Sequence, residues 1–175
     1  MSSEIFCDLD QVLVDFDKGY LNLTGVNKHH HTLQDSDLFW KLYRDSLVAK
    51  NMTEKSYWSN LEWMIDGKEL WDYIKQYKPN ILSAPAINRD ISYPERFKIT
   101  HNESMQGKTK WCERLDGLNK TYFTSAKFKP DLARKHRILI DDRADTVNAW
   151  RDNGGVGIIH TSTANTIKQL KQLGL

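Results

Sequence analysis

The chain has 175 residues, which is enough for one domain with its own apolar core. Its 25 Lys and Arg are nearly balanced by 23 Asp and Glu, which argues against a basic nucleic-acid coat or a polybasic membrane anchor. Cys7 and Cys112 form no disulfide framework, and no stretch resembles a signal peptide or a membrane span. We therefore expect a cytoplasmic protein that makes no membrane contact and no stable nucleic-acid complex.

Five short apolar runs, each bounded by polar or turn-forming residues, predict buried strands. They occupy residues 4–9, 80–83, 121–124, 137–140 and 155–159. Helical patterns lie between and after these runs, at residues 105–116, 143–152 and 163–173. Strands that alternate with helices indicate βαβ units, so the sequence predicts an α/β fold with a doubly wound parallel sheet.

The segment between the first and second predicted strands is too long for a single crossover connection. It extends from Asp15 to Lys78 and shows capping-box spacings that predict helices, at Asn51 with Glu54 and at Asp66 with Glu69. We predict a small helical cap at residues 17–78, inserted after the first strand, and a core formed by residues 1–16 and 79–175. Most of the tryptophans lie in this cap, namely Trp40, Trp58, Trp63 and Trp71.

Carboxylates follow two of the predicted strands at the point where each strand ends. Asp8 and Asp10 end the first strand, and Asp141 and Asp142 end the fourth. Ligands of open α/β sheets bind at the carboxyl ends of the strands. A cluster of carboxylates repels itself unless a cation neutralises it, and oxygen ligands favour a hard divalent ion, most simply Mg²⁺.

Partners for an anionic substrate stand at other strand ends. Ser83 and Ala84 follow the second strand, Lys108 begins a helical stretch, and Lys127 follows the third strand. Taken singly, the serine is typical of a turn or a helix cap, and the lysines are typical of a solvated surface. Together, a carboxylate nucleophile, a divalent metal, a hydroxyl and lysines form a set that suits phosphoryl transfer.

The order of these motifs resembles the haloacid dehalogenase-like (HAD) phosphohydrolase superfamily, and within it the 5′(3′)-deoxyribonucleotidase family. The matching segments are Asp8–Phe16, Phe39-Trp40, Ile81–Pro85, Lys108–Trp111, Lys127 and Leu139–Arg143. The sequence departs from that pattern at Gln11, where glycine is usual. The resemblance implies a HAD-like Rossmannoid sheet of about five strands with a helical cap.

The resemblance also implies a role for each matched residue. Asp8 would be the nucleophile and Asp10 the acid and base, with Mg²⁺ held by Asp8, the Asp10 carbonyl and one of Asp141 or Asp142, preferably Asp142. The phosphate would be bound by Ser83, Ala84, Lys108 and Lys127, and the base and sugar by Phe16, Phe39 and Trp40. Core packing remains open for Phe16 and Phe39, and is the expected role of Trp58, Trp63 and Trp71.

Three functions are compatible with these features. The first is a Mg²⁺-dependent phosphomonoesterase acting on (deoxy)ribonucleoside monophosphates, with a possible homodimer implied by the related enzymes. The second is a HAD phosphatase for another phosphomonoester, such as a nucleic-acid 3′-phosphate or a small metabolite. The third is a nucleotide-binding scaffold without activity. The presence of every catalytic position argues against this third function.

Overall fold

The structure, a computed structural model, describes residues 3–29, 36–86 and 101–175. Its central feature is a five-stranded parallel sheet in the order β3-β2-β1-β4-β5. The strands are β1 (Glu4–Cys7), β2 (Asn80–Ser83), β3 (Thr121–Phe123), β4 (Arg137–Asp141) and β5 (Val156–Ile159). Each predicted apolar run coincides with one strand to within two residues at either end, so the predicted α/β parallel sheet is confirmed.

Seven α-helices accompany the strands in the described part of the chain. They are α1 (Phe16–Thr24), α2 (Ser36–Ala49), α3 (Glu54–Ser59), α4 (Gly67–Ile74), α5 (His101–Cys112), α6 (Ala144–Asp152) and α7 (Thr163–Gln172). The described part of the chain also contains two 3-10 helices, Lys75–Tyr77 and Ala126–Leu132. The last two predicted helices match α6 and α7 within one residue at each end.

The two predicted capping boxes each differ from the structure in one respect, the first in the residue at the cap and the second in the hydrogen bond. Thr53, not Asn51, caps α3 by accepting a hydrogen bond from the Ser56 N–H. Asp66 occupies the N-cap position of α4 but makes no side-chain cap bond. Its carboxylate instead accepts from the Thr163 N–H at 2.8 Å, which ties α4 to the start of α7.

The core of the sheet is apolar because its central strands are covered on both faces. Phe6, Leu82, Leu139 and Trp150 pack in one buried cluster, and the Trp150 indole donates to the Arg137 carbonyl at 3.3 Å. Gly155 permits this packing, since a Cβ there would lie 2.1 Å from Nε1 of Trp150. The cluster holds the strands in place and so positions the residues at their carboxyl ends.

The chain divides into two compact units. The sheet unit comprises Met1–Val14, Trp63–Ala84 and Cys112–Leu175, and the helical unit comprises Asp15–Glu62 and Pro85–Trp111. The helical unit includes most of the predicted cap, but α4 groups with the sheet unit because it packs on α7. Residues 30–35 of the predicted cap and 87–100 of the predicted core lie outside the described residues.

The helical unit is organised around aromatic side chains. Tyr20 and Phe39 stack at 4.3 Å between ring centroids, and the Tyr20 hydroxyl donates to the Phe39 carbonyl. Tyr20, Tyr43 and Tyr57 are buried, which gives these short helices a shared core. Among the described residues, no helix has both the length and the apolar character that a membrane crossing requires.

Candidate active site

The carboxyl ends of β1 and β4 bring two aspartates side by side. Cys7 pairs with Ile140 in the parallel register, so Asp8 and Asp141 are the next residues on adjacent strands. The Asp8 N–H donates to the Ile140 carbonyl at 2.9 Å and continues the ladder. Asp8 is 6% exposed and Asp141 is fully buried, so both carboxylates are largely removed from water.

Lys129 lies between these two carboxylates. Its Nζ is 2.8 Å from Oδ2 of Asp8 and 2.7 Å from Oδ2 of Asp141, and the residue is 1% exposed. Burial by itself lowers the pKa of the Lys129 ammonium, but the charges and hydrogen bonds of Asp8 and Asp141 outweigh it and raise the pKa above its usual value. Lys129 is therefore a buried residue whose charged form is favoured by its two carboxylate partners.

The sequence analysis gave Lys127, two residues earlier, as a phosphate-binding lysine. In the structure Lys127 is exposed, and its Nζ lies 4.6 Å from the centre of the Phe128 ring. Both lysines belong to the 3-10 helix Ala126–Leu132, in which residues two apart are rotated by about 240°. One of them therefore faces the carboxylates and the other does not, and a strand-end position alone could not tell which.

Asp142 completes a set of three carboxylates. Asp8, Asp141 and Asp142 each offer an oxygen, and these atoms lie within 4.8 Å of one another. Burial and then the Asp8 charge raise the pKa of Asp141 to about 6, although Lys129 opposes this. Three carboxylates against one ammonium leave excess negative charge, and a donor set made of oxygens fits a hard divalent cation such as Mg²⁺.

The two adjacent aspartates have different surroundings. Both oxygens of Asp141 are engaged, because Oδ2 accepts from Lys129 and Oδ1 accepts from the Arg143 N–H at 2.9 Å. Asp142 is only partly buried. Asp141 is thus suited to holding Lys129, and the preference for Asp142 as the direct metal ligand stays a prediction.

Asp10 lies in a tight loop that leaves β1. The Val12, Leu13 and Val14 N–H groups all donate to the Leu9 carbonyl, and Gln11 N–H donates back to the Val14 carbonyl. The Asp10 carboxylate is not part of the three-carboxylate set. The metal contact predicted for Asp10 is made by its backbone carbonyl instead. Gln11 has φ +62°, a left-handed conformation that glycine adopts without the steric cost of a side chain.

Ser83 and Ala84 lie at the carboxyl end of β2, beside β1. Ser83 is fully buried, and its carbonyl accepts from the Thr124 N–H at 3.2 Å, which joins the ends of β2 and β3. Since Ile81 pairs with Cys7, Ser83 lies one register step beyond Asp8. The predicted phosphate-binding turn is therefore at the same sheet edge as the carboxylates.

The other predicted site residues belong to the helical unit. Phe16 is buried and its ring lies 6.2 Å from that of Phe39, which contacts Trp40 edge-on at 5.0 Å. The three predicted base-pocket residues therefore form one continuous set of rings. Trp58 also joins this set, since it stacks on Phe16 at 5.1 Å with an interplanar angle of 7°.

Lys108 of α5 is 2% exposed and lies in the same helical unit. Its Nζ is 4.3 Å from the centre of the Trp58 ring. Trp58 is 3% exposed, so the packing role predicted for it agrees with its burial. The sequence analysis did not foresee that the same ring contacts Lys108, because cap residues and α5 are distant in the chain.

The five-stranded parallel sheet with its flanking helices is an α/β fold that matches the fold of haloacid dehalogenase-like structures. The chain resembles a HAD-superfamily hydrolase from Ehrlichia chaffeensis, with a TM-score of 0.51 at 12% identity and full coverage of both chains. It also resembles the L-2-haloacid dehalogenase of Xanthobacter autotrophicus, with a TM-score of 0.55 at 13% identity over 90% of this chain and 76% of that one.

A third similar structure is a haloacid dehalogenase-like family protein from Streptococcus pneumoniae, with a TM-score of 0.52 at 17% identity over 89% of this chain and 83% of that one. The chain matches no protein-family model and no curated protein sequence. At such identities the likeness establishes the fold alone.

Proposed function

We propose that the protein is a Mg²⁺-dependent phosphomonoesterase that acts on (deoxy)ribonucleoside monophosphates through an aspartyl-phosphate intermediate. The observation that carries this proposal is the buried arrangement of Asp8, Lys129 and Asp141, with Asp142 beside it. It presents a carboxylate nucleophile next to a fixed cation and a cluster that attracts a metal ion.

Asp8 is the nucleophile in this mechanism. Its Oδ1 accepts from the Leu9 N–H at 2.8 Å and its Oδ2 contacts Lys129, so the carboxylate is held in one orientation. An Asp8 oxygen attacks phosphorus while the bond to the ribose oxygen breaks. Asp10 donates a proton to that departing oxygen, then takes one from the water that attacks phosphorus and releases phosphate from Asp8.

Asp8, Asp142 and the Asp10 carbonyl would hold Mg²⁺. When bound, the ion neutralises carboxylate charge and polarises the phosphoryl oxygens. Lys129 stabilises the negative charge that develops near Asp8, and Ser83 and Ala84 offer a hydroxyl and backbone N–H groups to the phosphate. Lys108 supplies a further cation, and Lys129 takes over the role first assigned to Lys127.

The nucleoside specificity rests on Phe16, Phe39 and Trp40. Aromatic rings that contact each other offer flat apolar walls, and flat walls suit the ring of a nucleobase. Their contacts with Trp58 and Tyr20 hold these walls in place. Sugar phosphates lack a ring system that can stack, so we expect them to be weaker substrates.

Dehalogenation is the second candidate, because one similar structure is an L-2-haloacid dehalogenase with chloropropionic acid covalently bound. A carboxylate nucleophile suits that reaction too. The excess negative charge of Asp8, Asp141 and Asp142 favours the phosphatase, since a metal ion that neutralises it also attracts a phosphate.

The deciding experiment is a substrate panel assayed with and without Mg²⁺. Phosphate release is measured from 5′- and 3′-nucleoside monophosphates, sugar phosphates and 3′-phosphorylated oligonucleotides, and chloride release from 2-chloropropionate. We expect Mg²⁺-dependent phosphate release that is fastest with a nucleotide. Faster release from sugar phosphates would refute the nucleotide assignment, and chloride release without phosphate release would refute the phosphatase.

Asp8→Asn serves as the variant that tests the nucleophile. Asparagine has nearly the same shape but cannot form the aspartyl-phosphate, so we expect turnover to disappear while the circular dichroism spectrum is retained. Asp145→Asn is the matched control, because Asp145 is exposed and pairs with Arg143 outside the three-carboxylate set. Full activity of Asp8→Asn would contradict the assignment.

A further inference from the structure

One indole ring in the helical unit contacts two residues to which the proposed function gives different tasks. The Trp58 ring lies 4.3 Å from Nζ of Lys108, the proposed phosphate ligand, and stacks at 5.1 Å on Phe16, a proposed wall of the base pocket. A cation over an aromatic face is attracted by the negative potential of that face, more strongly when both are removed from water. Lys108 and Trp58 are both buried.

The Trp58 ring is itself held in place. Its Nε1 donates to Oε1 of Glu54 at 3.4 Å, and Glu54 is 3% exposed. The Tyr57 ring meets it edge-on, at 5.4 Å and 82°. Together with the Phe16 stack, these contacts restrain the ring, so it provides Lys108 with a fixed surface rather than a mobile one.

The backbone sets the distance between Lys108 and Trp58. A Cβ on Gly107 would lie 2.6 Å from Cβ of Trp58 and 2.7 Å from the Lys55 carbonyl oxygen, closer than real Cβ atoms approach. Only glycine allows α5 to come this near to α3. Lys108 is the next residue along α5, so the long lysine stem begins at a point that is fixed relative to the ring.

We propose that Trp58 is a positioning residue: its ring holds the Lys108 ammonium in the orientation that binds the substrate phosphate, and joins that lysine to the Phe16 wall of the base pocket. A lysine side chain has several rotatable bonds, and holding it beforehand lowers the entropy lost when phosphate binds. The inference rests on the proposed function, in which Lys108 binds phosphate.

The test compares Trp58→Leu with Trp58→Phe, which keeps an aromatic face. Trp71→Leu is the matched control, since Trp71 is 2% exposed and belongs to the sheet unit. We measure kcat and KM by phosphate release, and the dissociation constant of inorganic phosphate by calorimetry. All measurements are made at a temperature below the unfolding midpoint of the least stable variant. We expect Trp58→Leu to weaken phosphate binding about tenfold, which corresponds to about 1.4 kcal/mol, and Trp58→Phe to weaken it less.

The control separates positioning from simple loss of packing. We expect Trp71→Leu to lower the unfolding midpoint while KM and the phosphate dissociation constant stay unchanged. A double-mutant cycle adds Lys108→Met, and in that background Trp58→Leu should have no further effect on phosphate binding. Additive effects in the cycle, or unchanged phosphate binding in Trp58→Leu, would overturn the inference.

The same measurements distinguish failure of the inference from failure of the proposed function. Absence of phosphate release by the wild-type protein refutes the function, while the calorimetric cycle still decides whether Trp58 acts through Lys108. Conversely, Lys108→Met that binds phosphate as tightly as the wild type overturns the inference, whereas wild-type turnover then still supports a phosphatase. Trp58→Phe keeps the test open if Trp58→Leu does not fold.

Discussion

The ammonium of Lys129 lies 2.8 Å from Oδ2 of Asp8, and both residues are almost completely shielded from water. Water cannot reach either charge of such a buried pair, so removing one residue leaves the charge of the other uncompensated. The contact also places a fixed positive charge beside the proposed nucleophile. It therefore links the stability of the sheet edge to its chemistry.

The first prediction concerns the two lysines of the 3-10 helix. Lys129→Met leaves Asp8 and Asp141 facing each other, so we expect the free energy of unfolding to fall by about 3–5 kcal/mol. We expect kcat to fall at least ~100-fold, because charge near the phosphoryl group is no longer stabilised. Lys127→Met, at an exposed position, should change stability by less than about 0.5 kcal/mol.

Urea unfolding and phosphate release measure both variants. If Lys127→Met, and not Lys129→Met, loses turnover, the assignment of the phosphate-side lysine from the structure is wrong.

The second prediction concerns the metal site. Mg²⁺ bound only by the folded protein raises the free energy of unfolding by about 2.7 kcal/mol at a hundred times its dissociation constant. Asp142→Asn removes a charged ligand, so we expect a much smaller Mg²⁺-induced rise in the melting temperature. Asp145→Asn should respond as the wild type does, because Asp145 pairs with Arg143 instead. Equal shifts for all three proteins would exclude Asp142 as a ligand.

The third prediction concerns the left-handed residue beside the site. Gln11 has φ +62°, and a side chain in this region costs about 1–2 kcal/mol, partly offset by the flexibility of glycine in the unfolded chain. We expect Gln11→Gly to stabilise the fold by about 0.5–1 kcal/mol. Lys78→Gly, at φ 50° outside the proposed site, should stabilise it comparably.

Only Gln11→Gly should also change kcat/KM, because Gln11 follows the proposed acid and base Asp10. Urea titration measures the stability of the two variants, and the nucleotide assay measures their activity. A loss of stability in Gln11→Gly would show that the glutamine side chain contributes more than its backbone strain costs.

The fourth prediction is a pH dependence of stability. Burial lowers the pKa of His160 below its usual value, against a weaker raising effect of Asp66, and its Nδ1 lies 2.9 Å from Oγ1 of Thr166. Below about pH 6.5 the unfolded chain binds a proton that the folded one does not, so stability falls as the pH decreases toward the folded pKa.

His160→Gln removes this titration. The difference in unfolding free energy between wild type and His160→Gln should therefore be constant above about pH 7 and shift against the wild type at lower pH. A difference that is flat from pH 5 to 8 would contradict the proposed protonation state of His160.

Much of the fold could be predicted from local sequence. A strand buried on both faces must be a short continuous apolar run, so β2 was predicted within its observed bounds and β4 to within one residue. Gly154, with positive φ, lies just past the end of α6, where glycine favours a helix stop. The helix predicted at residues 105–116 is displaced, because α5 ends at Cys112, five residues before Gly117. Helix starts were less certain, because Thr53 and Asn51 are both acceptable caps and neighbouring contacts select between them.

The sequence by itself determined that carboxylates follow two apolar strands. It also determined that these carboxylates lie at one edge of the sheet, because parallel strands present their carboxyl ends at the same edge whatever their order. Only the tertiary structure decided that β1 and β4 are neighbours, that Lys129 rather than Lys127 lies between Asp8 and Asp141, and that Trp58 contacts Lys108. These facts depend on strand order, on the rotation of a 3-10 helix and on the close approach of two helices. Each is set by packing between segments that are distant in the chain, which local residue patterns do not encode.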